Sequence, residues 1–584
     1  MKPPEHIHLT FPLNVYAHSL YLQQGQVNYL HYGLVEENED VWELGALAAQ
    51  QRSTDLLLAR LPPPPCRILE VGIGLGTLAA LLMEQGYQVT GICPDPYQIA
   101  IARQRIHSGF RLQCLTFEEF NTLEQSYEVI LLQESAQYLK PLTLFNKAHH
   151  LLSEKGQLLI IDEIGLRRCP QDSLEGLPLL KYSLAQAERC GFKLLEQLDL
   201  SKKAAPTLDY LLSIIQIHQQ QLLSDLNLSA KQLTDLVDSL RLYQDKYRDG
   251  RYGYVLLRFE KTKTPYWRVV EITSNDQEAV RTLFERVFKN QMSKALWEWK
   301  YGHGRGMAMA AWKKGRIVAH YGGVLRELCY FGVPKTGVQI ADVMVDEKER
   351  GILTRQGPYF LAGATFPEYY AGYGNRILLG FGFPTGRAIR VAELLGLYAQ
   401  VGKMTEIRWS TQSGLPHLWS RIRHLHPLEH AADREIVNHL WNQMQGGFKE
   451  AIIGVRDWDY IQHRYISHPL KHYDILVVSN RFGGEPLGLV VLSREAEICK
   501  LLDIIAPLKH LNTLIKQTQR IVGRWGIPTL SLWITENFVN LFTQTGGESY
   551  PLDVRIPHCI WYDGPPVSEV QGKWWLMGGD TDFM

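Results

Sequence analysis

The segment Cys66-Arg67-Ile68-Leu69-Glu70-Val71-Gly72-Ile73-Gly74-Leu75-Gly76-Thr77 puts a carboxylate near the end of an apolar run and glycine at every second position of the loop that follows. A backbone without Cβ atoms can pass close to a ligand, and the helical stretch beyond it offers free N–H groups and a partial positive charge. The chemistry this supports is the holding of a cofactor. The GxGxG spacing differs from the GxGxxG dinucleotide fingerprint, and no phosphate loop closing on Gly-Lys-Ser/Thr is present. Further on, Gln133-Glu134-Ser135-Ala136-Gln137-Tyr138 follows another apolar run, making Glu134 a candidate base or substrate anchor; a solvated or helix-capping carboxylate is the competing reading. Upstream, His31 in Tyr29-Leu30-His31-Tyr32 is either a catalytic residue or a packed aromatic neighbour. A third constellation begins with the strand Ala341-Asp342-Val343-Met344-Val345. It continues through a polar loop carrying Arg350, Gly351, Arg355 and Gly357 into a helix opened by Pro358. Backbone donors and two arginines at a helix start make either a pyrophosphate cradle or a basic solvated turn.

The elements that must position these residues follow from punctuation and period. Pro62 to Pro65 cannot be helical and deliver the chain into a strand. From Arg67 to Glu163, short β-like runs alternate with helical stretches, the pattern of right-handed βαβ units on a parallel sheet. This predicts a doubly wound α/β domain over 61–262, preceded by a cap or lid segment over 1–60 and interrupted by a helical insertion near 205–245. Beyond the polar linker Lys261-Thr262-Lys263-Thr264-Pro265, three blocks recur in order about 160 to 170 residues apart. Trp299-Lys300-Tyr301 matches His463-Arg464-Tyr465, the hairpin at Gly315 matches that at Gly484, and the Asp342 strand matches the Asp503 strand. Two related α+β domains, 266–410 and 411–584, are expected.

Composition bounds the function. The chain has 584 residues, enough for about three to five folded units. Lys plus Arg and Asp plus Glu each total 61, so the formal charge is zero and no global field draws in nucleic acid or an anionic bilayer. With 45% hydrophobic and 21% charged residues it is ordinarily globular. The eight cysteines form no CxxC pair, which argues against a disulfide framework or zinc knuckle and for a reducing cytoplasm. No export signal or membrane span is expected, and the partner expected is a small-molecule substrate. Oligomeric state is not readable.

The glycine loop resembles the first motif of the class I S-adenosylmethionine-dependent methyltransferases, and the resemblance covers about residues 20–260. It implies a Rossmann-like methyltransferase fold. It also implies that Glu70 holds the methionine end of S-adenosyl-L-methionine, with Gly72, Gly74 and Gly76 letting the chain approach the cofactor. The family usually ends its second strand with a ribose-binding acid; here Cys93 stands there, with Asp95 two residues later. Thr116 occupies the place of an acid near the adenine, and Gln133 closes the fourth strand.

Residues 266–405 resemble the GNAT family of acyl-CoA-dependent N-acyltransferases. That implies an acetyl-CoA or other acyl-CoA site at Val345, Arg350, Gly351, Arg355 and Gly357, with Arg350 matching the first position of the family's pyrophosphate loop. Leu353 and Arg355 stand where that loop has small residues. Tyr398 would be the general acid for the leaving thiolate by position, or simply a packed tyrosine. The second copy has only Pro507-Leu508-Lys509-His510 where the cradle belongs, so it is expected to bind no CoA, and Trp574 and Trp575 are expected to anchor the tail. Three readings follow. The first is a bifunctional methyltransferase and N-acyltransferase acting on small metabolites, the second a methyltransferase with a non-catalytic GNAT-like recognition module, and the third a non-catalytic scaffold.

Overall fold

A computed structural model describes residues 4–106, 110–172, 176–352, 354–411, 420–425 and 430–581; Leu353 of the basic loop lies outside them. The chain forms two compact units. One comprises Met1–Arg168 and Glu175–Arg268, the other Val269–Met584 with Cys169–Leu174.

The first unit is built on strands β1 (Arg67–Val71), β2 (Gln88–Cys93), β3 (Arg111–Cys114), β4 (Tyr127–Gln133), β5 (Leu152–Gly165), β6 (Phe192–Asp199) and β7 (Tyr252–Lys261). They form one sheet in the order β3-β2-β1-β4-β5-β7-β6. β1 to β5 pair in parallel, while β7 runs antiparallel to both β5 and β6. The central strands β1, β2 and β4 are buried on both faces, as a parallel sheet covered by helices requires, while the edge strand β3 is largely exposed. The order reverses between β1, which leads to β2, and its other neighbour β4, so the crevice beyond their carboxyl ends is the expected ligand site.

The helical insertion consists of Ser201–Ile217, Gln219–Asp225 and Ala230–Arg248, and it packs onto the N-terminal segment. Leu208, Leu211 and Ile215 share one apolar core with Val15 and Leu20 of the helix Leu13–Gln24. Gly33 N–H donates to Thr207 Oγ1 (3.1 Å), tying the insertion to the stretch that carries His31.

The second unit contains two sheets. Strands β8 (Arg268–Glu271), β9 (Gly306–Lys313), β10 (Arg316–Tyr330), β11 (Val333–Val345) and β12 (Ile377–Phe381) belong to one, whose main path is β12-β11-β10. Strand β13 (Tyr398–Ser410) leaves it for the other sheet, where it joins β14 (Ser420–His424), β16 (Asp474–Asn480), β17 (Pro486–Arg494), β18 (Ile498–Ile505), β19 (Thr529–Thr535) and β20 (Glu548–Cys559). In exchange, β15 (Ile452–Gly454) and β21 (Trp574–Trp575) extend the first sheet. Residues 266–410 and 411–584 therefore swap strands within one compact body.

The repeat is visible in connectivity and side chains alike. Antiparallel β9-β10-β11 followed by parallel β12 recurs as antiparallel β16-β17-β18 followed by parallel β19. Tyr301 OH donates to Asp342 at 2.7 Å, and Tyr465 OH donates to Asp503 at 2.9 Å. Trp299 and His463, at equivalent positions, stack with ring centroids 5.1 Å apart, so the two copies meet at matching residues.

Candidate functional site

The loop after β1 closes a cleft of about 430 Å³ at the carboxyl edge of the first sheet. Glu70, Gly72, Gly74, Cys93, Asp95, Thr116, Gln133, Glu134 and His31, from five separate stretches of chain, all line it. The loop's three glycines do different work. A Cβ on Gly72 would lie 2.5 Å from Ser135 Cβ, and one on Gly76 would lie 2.9 Å from Ala102 Cβ, so both are held by packing. Gly74 has φ +56° and nothing within 4 Å of its missing Cβ; it faces the open cleft.

Glu70 is 3% exposed, and among the described residues its Oε2 has no hydrogen-bond partner. Burial pushes its carboxyl up to about 8. An orphaned carboxylate oxygen costs folding free energy unless a donor arrives, and an ammonium group is the donor that restores its charge. The buried Gln133 Nε2 is likewise unpartnered at this edge. The pocket thus fits an amino-acid-bearing cofactor such as S-adenosyl-L-methionine.

The residues placed by analogy at the ribose and adenine are less free. Asp95 caps the helix Pro96–Arg105, accepting from the N–H of Tyr97 at 2.8 Å, while its other oxygen accepts from Gln98 Nε2 and Thr10 Oγ1, each at 3.2 Å. Thr116 exchanges hydrogen bonds with Glu119. Cys93 Sγ donates to Gln98 Oε1 (3.4 Å), and burial pushes its thiol up to about 11. His31 is buried, with Nδ1 donating to the Tyr32 carbonyl (2.9 Å) and Nε2 accepting from Thr54 Oγ1 (3.2 Å); burial pulls it down to about 4. It is a neutral histidine with both nitrogens engaged, so it shapes the wall of the cleft.

Glu134 sits at φ +53°, a left-handed conformation that turns the chain sharply after β4. Its carboxylate accepts from the Tyr32 N–H (2.6 Å) and from Tyr254 OH (2.8 Å). Burial first, then the charge of Glu163, holds its carboxyl well above the usual carboxylate range. Behind it, burial pushes Asp162 up to about 8 and Glu163 up to about 7. Asp162 accepts from the N–H of Ala136 (2.7 Å) and Gln137 (3.1 Å), and Glu163 accepts from Tyr247 OH (2.9 Å). Sequence reading missed Asp162, Glu163, Tyr247 and Tyr254. Two adjacent acids ending the apolar run Leu158-Leu159-Ile160-Ile161 were the available signal for the first pair; the tyrosines come from the insertion and β7 and carry no local signal.

Residues 69–160 match the family described as "Methyltransferase domain". That match lies within the N-terminal unit. The chain is also similar to the cyclopropane synthase MmaA2 from Mycobacterium tuberculosis, with 19% identity, 44% of this chain and 99% of that one covered, and a TM-score of 0.38. Geranyl diphosphate C-methyltransferase from Streptomyces coelicolor is 14% identical over 45% of this chain and 99% of its own, with a TM-score of 0.34. Phospholethanolamine N-methyltransferase 2 from Haemonchus contortus is 16% identical over 43% of this chain and 57% of its own, also at 0.34. No curated protein matches the chain. Among the described residues, no His, Cys, Asp or Glu cluster could hold a metal ion, and no helix is long and apolar enough to cross a membrane.

In the second unit, β11 and β12 pair from Thr336 to Gln339, where β12 ends at Phe381, and β11 runs on alone to Val345. Beyond the end of β12 opens a cavity of about 750 Å³ lined by Val345, Arg350, Gly351 and Tyr398 among the residues singled out in sequence. Arg355 and Gly357 are not in its lining: Arg355 Nε donates to the Leu395 carbonyl (3.3 Å) and its guanidinium lies 5.2 Å from the Trp561 ring centroid, while Gly357 packs against the Ile352 carbonyl. Tyr398 OH shares a short hydrogen bond with Tyr321 OH, and burial holds both phenols well above their ordinary range. Asp342, at φ +50°, lines the cavity too. Burial opposes its ionisation, but Lys300 Nζ at 2.9 Å and Tyr301 OH outweigh that and hold it below its ordinary value.

The corresponding place in the second copy is filled. β18 and β19 pair up to Leu501 and Leu532, and beyond them lies the chain's own C-terminal segment. Thr535 N–H donates to the Leu576 carbonyl (3.2 Å), and Arg464 donates to the carbonyls of Gly579 (3.0 Å) and Thr581 (2.8 Å). Trp574 and Trp575 are buried.

Proposed function

We propose that the N-terminal unit transfers a methyl group from S-adenosyl-L-methionine to a small metabolite. The observation carrying this reading is the buried, unpartnered Glu70 oxygen beside a glycine loop whose central Gly74 is open to the cleft. When bound, S-adenosyl-L-methionine supplies an electrophilic methyl on a sulfonium. Glu70 would hold the ammonium of its methionine end, the backbone from Gly72 to Gly76 would pass along it, and Gln133 Nε2 would donate to it. Methyl transfer is an in-line displacement, so much of the rate comes from positioning and exclusion of water. Glu134, hydrogen-bonded to Tyr32 and Tyr254, would take a proton from an acceptor that arrives protonated whenever its own carboxyl is ionised.

The sign of a pH effect follows from Glu70. With its carboxyl near 8 it is mostly protonated at pH 7, and an ammonium beside it favours the ionised form. Donor binding at pH 7 is therefore expected to release about one proton, and affinity is expected to rise as pH climbs from 6 toward 8. Calorimetric titration in buffers of different ionisation enthalpy measures this. Glu70→Gln is expected to weaken binding at least tenfold and to abolish the proton release; unchanged affinity would detach Glu70 from the donor.

A second reading, an acyl-CoA-dependent N-acyltransferase of the GNAT type in the C-terminal unit, is favoured by the cavity of about 750 Å³ beyond the end of β12, with Arg350 and Tyr398 in its lining. The competing role is a non-catalytic recognition module for the methyltransferase. Titration of acetyl-CoA into the full chain separates them. Saturable binding that is weakened about tenfold by Arg350→Ala and little by Arg355→Ala is expected, since only the first arginine lines the cavity. No binding to a folded chain would favour the recognition module.

A further inference from the structure

The cavity beyond the end of β12 has a wall and a rim of different chemistry. Phe288, Val343 and Ile352 line it, yet they remain 47%, 37% and 42% exposed. Three large apolar side chains around one opening are unusual at a surface with nothing to cover them. The acids in the lining are neutralised within the protein, Asp342 by Lys300 at 2.9 Å and Glu349 by Lys313 at 2.6 Å. The arginines are not. Arg350 donates Nε to the Val345 carbonyl (2.9 Å), and among the described residues neither Arg350 nor Arg387 has a carboxylate partner. Arg387 also lies in the first turn of the helix Gly386–Leu394, where a cation opposes the helix dipole. The rim therefore holds uncompensated positive charge beside an uncovered apolar wall, and a ligand that relieves both is an anion with an apolar chain.

We propose that this cavity binds a fatty acyl thioester of medium chain length. Its acyl chain lies against Phe288, Val343 and Ile352, and the phosphates of its carrier meet Arg350 and Arg387. The proposal rests on the acyl-CoA reading and adds to it the class of acyl group. At about 750 Å³ the cavity lies within the range of sites that enclose most of a drug-sized ligand. Its apolar lip would stay wet if the occupant carried no more than an acetyl group.

The test is calorimetric titration of CoA, acetyl-CoA and octanoyl-CoA into the full chain at one ionic strength. Octanoyl-CoA is expected to bind at least tenfold more tightly than acetyl-CoA. Ile352→Ser, a change at an exposed position, is expected to weaken octanoyl-CoA several-fold and leave CoA unchanged. Arg387→Ala, also at an exposed position, is expected to weaken all three alike. Equal affinity for acetyl-CoA and octanoyl-CoA overturns the chain-length proposal while the acyl-CoA reading survives. Binding of none of the three overturns both.

Discussion

Gly74→Asp is expected to abolish binding of S-adenosyl-L-methionine, with a loss of about a hundredfold or more, while the far-ultraviolet circular dichroism of the chain stays as it was. The two halves of that expectation have separate causes. Gly74 has nothing within 4 Å of its missing Cβ, so an added side chain meets no protein atom there. Its φ of +56° is the left-handed region, which costs most residues about 1–2 kcal/mol but which Asp tolerates better than most. The fold is therefore spared. The new side chain must project into the cleft that Glu70 lines, adding bulk where a ligand would lie and a second negative charge near a carboxylate already pushed up to about 8. Gly72 is the wrong place for this experiment: even Ala there would lie 2.5 Å from Ser135 Cβ and would damage the loop itself. Calorimetric titration of the variant decides the point, and unchanged affinity would remove the donor from this loop.

Much of the first unit was legible because its signals are local. A strand, a glycine loop and a helix in succession report the β1 turn whatever surrounds them, and the alternation from Arg67 to Glu163 carries the parallel pairing of β1 to β5 with it. What the chain does with Asp95 was not legible. Two residues past the end of β2 it stands where a ligand contact is expected, yet it also immediately precedes Pro96, and an Asp-Pro pair is a helix start. The capping role uses the oxygens a ribose would need. The acid and tyrosine group behind Glu134 was invisible for another reason: Tyr254 is 120 residues away from it in sequence, and only the β4-β5-β7 order brings the two together. In the second unit the repeat showed where Asp342 and Asp503 lie on equivalent strands. It could not show that β13 leaves one sheet for the other, because strand exchange changes partners without changing the apolar pattern.

Arg456→Met is expected to cost about 3–5 kcal/mol of stability, far more than any surface ion pair in this protein. Arg456 is fully buried between two buried carboxylates, with Nε 2.6 Å from Asp503 and Nη2 2.6 Å from Asp580, and its Nη1 donates to the Gly454 carbonyl at 2.7 Å. Its removal leaves two acids without the cation that compensates them, although Asp580 keeps Arg326 at 3.0 Å and the Met577 N–H at 2.8 Å. Among the described residues Asp503 retains only the hydroxyls of Tyr460 and Tyr465, and neutral donors compensate a buried charge less well than a guanidinium. Arg434→Ala is the control, since its pair with Asp459 joins side chains 56% and 74% exposed and should contribute less than about 1 kcal/mol. Denaturant unfolding of the full chain, followed by tryptophan fluorescence, compares them, because Trp574 and Trp575 are buried in the same tail that Asp580 anchors. A loss for Arg456→Met no larger than for the control would mean that the C-terminal segment is held by its tryptophans alone. The expected loss would make the tail an integral part of the second copy, occupying through a buried ion network the place that the first copy leaves open as its cavity.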